Sequence, residues 1–326
     1  MNQAAESIPP VPGRSAGSRA TPVGDTFFHG LTAVAAVLVL AIIAGIAVSL
    51  ILGSAPALAE FGPGFLVSDV WNPVTNNFGA YVAIFGTLVT SAIAMVIAVP
   101  VSFGVALFIS ELAPAWLKRP ISVAIELLAA VPSIIYGMWG LFVLAPVMAD
   151  TIQPWLKTIF GDIPLLGVLV QGPPIGIGVF TAGVILAIMV IPFIASVMRD
   201  TFEVVPKVLK ESAYATGATT WEVVRHIVLP YTRTGVVGGI MLGLGRALGE
   251  TMAVTFVIGN SHNIHAGLFH PGNSIAATLA NEFTEATGEI YTSALLALGL
   301  ILFGITLIVL IAARLLLMRL QAGEGR

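Results

Sequence analysis

Long apolar runs alternate with short polar connections along most of this chain. Six of these runs are long and apolar enough to cross a bilayer as helices, since a transmembrane helix needs about 20 mostly apolar residues. The six predicted spans cover residues 28–53, 82–110, 121–147, 174–198, 233–259 and 290–317. The pattern therefore predicts an all-α polytopic membrane protein with six transmembrane helices.

The predicted spans divide the chain into four regions. Residues 1–26 are rich in Pro, Gly, Ser and Ala, so we expect a disordered tail. Residues 27–81 form the first transmembrane helix, which we expect to remain as an uncleaved anchor, and the loop that follows it. Residues 82–318 form a five-helix core with a long connection at residues 199–232, and residues 319–326 form a C-terminal tail.

Positive charge is distributed unevenly between the two sides of the membrane. Of the 14 Lys and Arg residues, all but Lys157 and Arg246 lie in loops, termini or span ends on one side. The positive-inside rule makes that side cytoplasmic. We therefore predict a protein of the plasma (inner) membrane with both termini on the cytoplasmic side. The thin spread of basic residues excludes a nucleic-acid surface, and the absence of cysteine excludes disulfides and thiolate metal sites.

The interior of the fifth predicted span contains two charged residues, Arg246 and Glu250. Their i and i+4 positions put them on one helix face, within reach of each other. Charged groups at this depth are costly, so they normally face protein or water and mark a pathway. Gly235, Gly239 and Gly243 fall on the same stripe, which is typical of close helix packing and predicts that the pair faces a protein interface.

The charged pair has two interpretations, a structural ion pair and a step along an anion pathway. The forked donors of Arg246 match tetrahedral oxyanions, and Glu250 can accept a hydrogen bond from a protonated oxygen. That combination favours phosphate over fully ionised sulfate. Thr251 and Glu126 complete the candidate pathway residues, although for Glu126 in the third span a helix-to-helix hydrogen bond is the preferred role.

No metal site is predicted from the sequence. Three histidines, His262, His265 and His270, lie close together in one connection, but no cysteine or clear ligand set accompanies them. We therefore interpret them as ordinary polar residues of a loop.

Residues 199–232 predict two short helices joined by a glycine turn. Pro206 suits the first turn of a helix, and Gly217 suits a left-handed helix end. Thr219 and Glu222 have the spacing of a capping box that begins the second helix. That second helix is expected to stop before Pro230.

The same segment resembles the EAA loop of ABC importer permeases. The matching residues are Glu211, Ser212, Ala213, Gly217, Ile227, Leu229 and Pro230, with Ser212 where the family usually has Ala. The resemblance implies a coupling helix that docks on a separate ATPase subunit. None of the four lysines belongs to a Gly-Lys-Ser or Gly-Lys-Thr phosphate loop, so we predict a transport permease and not an enzyme. No cofactor is then expected in this chain, because ATP and Mg bind the partner ATPase.

A second resemblance is more specific. Residues 245–254, Gly-Arg-Ala-Leu-Gly-Glu-Thr-Met-Ala-Val, are similar to the fifth helix of PstC-type permeases from the high-affinity phosphate (Pst) ABC importer. Residues 127–147 are also similar, and the likeness extends over about residues 28–318. It implies a type I importer permease for inorganic phosphate in which Arg246 and Glu250 are associated with phosphate passage. The implied partners are a PstA-type permease, a PstB-type ATPase dimer, a PstS-type extracytoplasmic binding protein and membrane lipid.

Three alternatives stay open at this point. An ABC importer permease for another oxyanion, such as molybdate, sulfate or phosphonate, would share the same features. An ion-coupled secondary carrier could also use a buried Arg–Glu pair, but it has no need for an ATPase-docking helix. A channel is the third alternative, and no filter-like loop is evident.

Overall fold

The computed structural model describes residues 22–164 and 166–324, and it is almost entirely helical. The helices are α1 (Pro22–Phe61), α2 (Gly64–Val67), α3 (Tyr81–Leu107), α4 (Ala115–Ala129), α5 (Ser133–Trp139), α6 (Ala145–Val147), α7 (Gln153–Phe160), α8 (Leu166–Leu169), α9 (Val179–Glu203), α10 (Lys207–Ala215), α11 (Thr220–Val223), α12 (Leu229–Leu248), α13 (Met252–Ile258), α14 (Ile275–Glu282) and α15 (Glu289–Glu324). Two short strands, β1 (Trp71–Asn72) and β2 (Asn77–Phe78), form an antiparallel hairpin. Four π-helical turns cover Phe108–Leu112, Gly140–Leu144, Met148–Ile152 and Val224–Val228.

Six helices in the described part of the chain are long and apolar enough to cross a membrane. They are Gly24–Phe61, Tyr81–Leu112, Ser133–Phe160, Val179–Glu203, Thr220–Leu248 and Glu289–Arg319. The six-span, all-α prediction is therefore confirmed. By contacts, the chain divides into two units, Met1–Ser49 and Leu50–Arg326, and the packed cores and the candidate site belong to the second.

The two predicted tails differ from the structure where they overlap it. Residues 1–21 of the predicted disordered tail lie outside the described residues, but residues 22–26 begin α1. Proline is common at the first position of a helix, and α1 begins at Pro22. The negative charge of Asp25 in the first turn interacts favourably with the positive end of the helix dipole. At the other end, α15 continues to Glu324, so residues 319–324 are helical as well.

The third span lies further along the chain than predicted. The apolar run over residues 121–147 is divided, because α4 ends at Ala129 and the membrane-length helix begins only at Ser133. Pro132 stands at the start of that helix in an extended conformation, and a proline disfavours helical geometry in the residue before it. The candidate residue Glu126 therefore lies on α4 and not inside the third span.

The helix that leads into the fifth span starts earlier than predicted. The second short helix does not stop before Pro230, because α11 continues through the π turn Val224–Val228 into α12. In that turn the Leu229 N–H bonds to the Val224 carbonyl, five residues back. Pro230 directly follows this turn, where the regular hydrogen bonding of the helix is already interrupted, so its missing N–H is tolerated. One helix of membrane length results, Thr220–Leu248.

Helix α9 is the centre of the packed core. In its most apolar stretch 67% of the residues are buried, and it packs against α3, α4, α12 and α13. Ser102 on α3 donates a hydrogen bond to the Ile191 carbonyl of α9 at 3.0 Å, which fixes the two helices side by side. A second core, around Phe65, Phe78 and Tyr291, lies where the hairpin meets α15.

Candidate functional site

The fifth span is interrupted at the position of its charged residues. Helix α12 ends at Leu248 and α13 begins at Met252, so residues 249–251 are not helical. Arg246 lies in the last turn of α12, whereas Glu250 lies in the interruption. The predicted continuous helix over residues 233–259 is therefore wrong, and with it the i, i+4 geometry. Glycine at position 249 weakens the helix here, because glycine gives up the most backbone entropy on becoming helical.

Glu250 caps the helix after the interruption. Its half-buried carboxylate accepts the Ala253 N–H at 3.2 Å, which satisfies a first-turn donor of α13. The Thr251 hydroxyl turns back to the Gly249 carbonyl at 3.4 Å. Among the described residues no ion pair joins Glu250 to Arg246, so the predicted pair is not formed.

Arg246 is held from one side by an aromatic ring. Its guanidinium carbon lies 5.5 Å from the ring centroid of Phe193 on α9, within the range of a cation–π contact. Its Nε is buried and has no hydrogen-bond partner. A positive charge in the last turn of α12 also interacts favourably with the helix dipole. Among the described residues, no carboxylate therefore accepts a hydrogen bond from the N–H groups of the Arg246 guanidinium.

The glycine stripe fixes the distance between α12 and α9. An added Cβ at Gly239 would lie 3.1 Å from Val197, and one at Gly243 would lie 2.5 Å from Ile194. These contacts confirm that the glycines serve close helix packing. Since the stripe faces α9, the protein surface that Arg246 meets is a helix of the same chain.

The 199–232 segment contains the predicted helix, glycine turn and capped helix. Gly217 has φ +89°, and Thr219 and Glu222 form both bonds of the capping box. Glu211 and Ser212 are exposed on α10. Of the other match residues, Ala213, Ile227 and Leu229 are partly buried and pack against the core, whereas Gly217 and Pro230 are exposed.

A charge pair that sequence reasoning missed anchors α10. Lys210 Nζ lies 2.5 Å from Glu111 Oε1, and the Glu111 side chain is only 6% exposed. Glu111 belongs to the π turn at the end of the second span. A buried carboxylate needs a partner, but the two residues are 99 positions apart and no local pattern connects them.

Large apolar side chains are exposed on the same segment. Val208 is 69% exposed and Trp221 is 61% exposed, although both lie on helices that carry many polar residues. Exposed apolar groups of this size commonly mark a surface that binds another protein.

Comparison with known proteins places the chain in a family. Residues 98–321 match the family described as binding-protein-dependent transport system inner membrane component. The chain is 56% identical over 326 residues to the phosphate transport system permease protein PstC of Mesorhizobium japonicum, with 100% of both chains covered. It is 58% identical over 301 residues to the protein of the same name from Xylella fastidiosa, covering 92% of this chain and 93% of that protein. The chain belongs to this permease family, in its PstC branch.

A solved structure supports the permease fold independently. The model is similar to a chain of the bacterial alginate ABC transporter crystallised with an alginate-bound periplasmic protein, with a TM-score of 0.56 and 16% identity. The match covers 89% of this chain and 93% of that chain. At this identity the likeness shows the fold alone, and it confirms the ABC importer permease architecture.

Glu126 of this permease links two helices. Its side chain is 58% exposed and accepts a hydrogen bond from Arg199 at the end of α9, at 3.0 Å. Arg199 also contacts Asp200 at 2.7 Å. The helix-to-helix bond is the role preferred from the sequence, but Arg199 was not identified as the partner, because the two residues are 73 positions apart.

The three loop histidines have partners other than a metal. His262 contacts Glu282 at 2.9 Å, and the His265 and His270 rings stack with centroids 4.1 Å apart. Burial lowers the pKa of His270, and the nearby His265 and Lys157 lower it further. Over residues 22–164 and 166–324, no group of three His, Cys, Asp or Glu is arranged to hold a metal ion.

Proposed function

We propose that this permease is the membrane-spanning subunit of an ATP-driven importer that moves inorganic phosphate across the plasma (inner) membrane by alternating access. The names of its PstC relatives point to phosphate. The observation that carries the proposal for the site is Arg246, which lies beside an interrupted helix with no carboxylate partner among the described residues. An arginine in that state keeps its donors for an incoming oxyanion.

The proposed pathway step uses Arg246, Glu250 and Thr251. Phe193 supports the guanidinium from behind, so its outward donors can bind phosphate oxygens in a fork. Glu250 repels a fully ionised anion but accepts a hydrogen bond from a phosphate oxygen that still carries a proton. This combination favours phosphate over sulfate. A pathway role is less well supported for Glu126, because its side chain accepts a hydrogen bond that joins α4 to α9.

The proposed coupling to ATP runs along one helix. Helix α10 presents Glu211 and Ser212 to a separate ATPase dimer of the PstB type, which binds ATP and Mg. The capped helix begins at Thr220 and continues to Leu248, with Arg246 in its last turn. A rigid-body shift of the docked segment therefore acts on the helix that holds the arginine.

The proposed orientation follows the positive charges. The 199–232 segment and both termini lie in the cytoplasm, because nearly all Lys and Arg residues are on that side. The hairpin β1–β2 and α14 then lie outside, where a PstS-type binding protein delivers the substrate. A PstA-type permease supplies the other half of the pathway.

Uptake of labelled phosphate in vesicles that contain the complete importer tests the proposal. We expect ATP-dependent uptake that excess sulfate does not inhibit, and a large loss of uptake in Arg246→Ala and Glu250→Gln. Uptake that persists without the ATPase subunits would contradict the ABC mechanism. Inhibition by sulfate as strong as by unlabelled phosphate would favour a permease for another oxyanion.

A further inference from the structure

We propose that the hairpin β1–β2, together with the groove beside it, is the surface on which the soluble binding protein docks. The groove has a volume of about 630 Å³ and is lined by residues 69–72 and 262–265. The inference rests on the proposed function, because it requires this end of the permease to be extracytoplasmic. It selects one small surface from the connections at that end.

The hairpin carries an exposed apolar side chain at its tip. Val74 is 91% exposed, and it lies between the first and second candidate spans. The Asn72 side-chain oxygen accepts the N–H groups of Val74 and Thr75 at 2.9 and 3.3 Å. Val67, the last residue of α2, is 74% exposed, and Val70 in the loop that follows is 43% exposed. Clustered apolar exposure outside the spans marks an interaction site, and the turn holds Val74 in a defined position.

A partly buried carboxylate, Glu282, fixes the base of the hairpin. The Trp71 indole N–H donates to Glu282 Oε2 at 2.6 Å, and the Tyr291 hydroxyl donates to the same oxygen at 2.7 Å. His262 contacts the other oxygen at 2.9 Å and stacks on Trp71, with ring centroids 5.5 Å apart. The surface is therefore ordered before a partner arrives, which lowers the entropy lost on binding.

The charge on this carboxylate is stable near neutral pH. Burial by itself raises the pKa of Glu282, but the hydrogen bonds from His262, Tyr291 and Trp71 outweigh burial and bring the pKa below its ordinary value. The carboxylate therefore remains ionised near neutral pH, and the base of the hairpin remains bonded there.

The chemistry of the surface favours a protein over lipid. Exposed polar residues, Asp69, Asn72 and Asn263, surround the apolar ones. An apolar centre with a polar rim is the usual composition of a protein interface, whereas lipid chains leave such a rim unsatisfied. The family to which the chain belongs is described as binding-protein-dependent, which identifies the class of partner.

The main test replaces the exposed valine in the complete importer with its binding protein. We expect Val74→Asp to weaken binding-protein affinity by about 10-fold or more, as for a central interface contact. ATP hydrolysis without binding protein stays unchanged, and phosphate uptake recovers at saturating binding protein. Phe283→Asp is the matched control, since Phe283 is 50% exposed at the same end but belongs neither to the hairpin nor to the lining of the groove. The importer with this control variant should bind the binding protein with unchanged affinity.

A second measurement distinguishes protein from lipid as the occupant. Because the chain has no cysteine, Val74→Cys accepts a single fluorescent label. We expect the binding protein to protect the label from a water-soluble quencher. Quenching by lipid-borne quenchers, with no effect of the binding protein, would overturn the proposal. Normal affinity in Val74→Asp with normal phosphate uptake would also overturn it while leaving the transport function intact. Absence of phosphate uptake in the unmodified importer would instead contradict the function.

Discussion

The fourth and fifth spans both contain helix-breaking residues, but only the fifth is interrupted. Helix α9 carries Pro192 and still runs unbroken from Val179 to Glu203, because neighbouring helices surround it. In the fifth span the helix ends at Leu248, between Gly245 and Gly249, and no other element of the described residues would meet an added Cβ at either glycine. Tertiary support therefore decides whether a weak point becomes a break. The permease has its charged residues at the weak point that lacks this support.

Among the backbone and packing variants, the largest effect is expected when the fifth span is made to resemble the fourth. Gly249→Ala favours a continuous helix by about 1 kcal/mol, since glycine disfavours helix by about that amount relative to alanine. We expect phosphate uptake to fall by about fivefold, with no loss of thermal stability. Uptake and the melting temperature of the purified complex measure the two effects. Normal uptake would show that the interruption is not needed.

The contact between the two spans is tested by a glycine that lies in it. Gly243→Ala brings a Cβ against Ile194, and we expect destabilisation by about 1–2 kcal/mol from overpacking. Gly238→Ala is the matched control on the same helix, because its Cβ would meet open space. Thermal unfolding in detergent compares them. Equal melting temperatures would contradict the proposed packing.

A smaller effect is expected from the aromatic support of Arg246. Phe193→Leu removes the cation–π contact, and we expect the phosphate concentration for half-maximal uptake to rise by about 2- to 4-fold. Phe193→Trp should restore it, since the ring face is kept. Phe103→Leu, which changes a partly buried phenylalanine of the same core, serves as the control. A rise that Phe193→Trp does not reverse would point to packing alone.

The smallest effect is expected in the fourth span itself. Pro192→Ala restores one possible backbone hydrogen bond but removes buried apolar contact, so the two changes nearly offset each other. We expect phosphate uptake within about twofold of the unmodified permease and little change in melting temperature. A large loss of phosphate uptake would show that transport also requires the helix-breaking residue Pro192 in the fourth span.

Much of the architecture was predictable because it depends on local signals. Apolar run length predicts six spans, and Pro206, Gly217 and the Thr219–Glu222 capping box predict the helix, turn and capped helix of residues 199–232. The two interruptions were not predictable in the same way. Pro132 stands at a helix start, yet Pro100 lies inside α3, so a proline alone does not show where a helix ends.

The contacts between distant residues were also beyond sequence reasoning. Arg199 with Glu126 and Lys210 with Glu111 join elements 73 and 99 positions apart. The predicted Arg246–Glu250 pair failed because its geometry assumed a continuous helix. No other element of the described residues packs against Gly245 or Gly249, and this lack of support is a property of the fold that the sequence does not show.

The most direct test of the central claim measures ATP hydrolysis and phosphate uptake in the same vesicles for Arg246→Ala. If Arg246 is a step on the phosphate pathway, uptake falls by about 100-fold, as expected when one partner of a desolvated charge pair is removed. Binding-protein-stimulated ATP hydrolysis then continues, because the variant leaves residues 199–232, the proposed ATPase-docking segment, intact. Uptake at the normal rate would contradict the claim, and equal loss of both activities would show that Arg246 holds the permease together and does not pass phosphate.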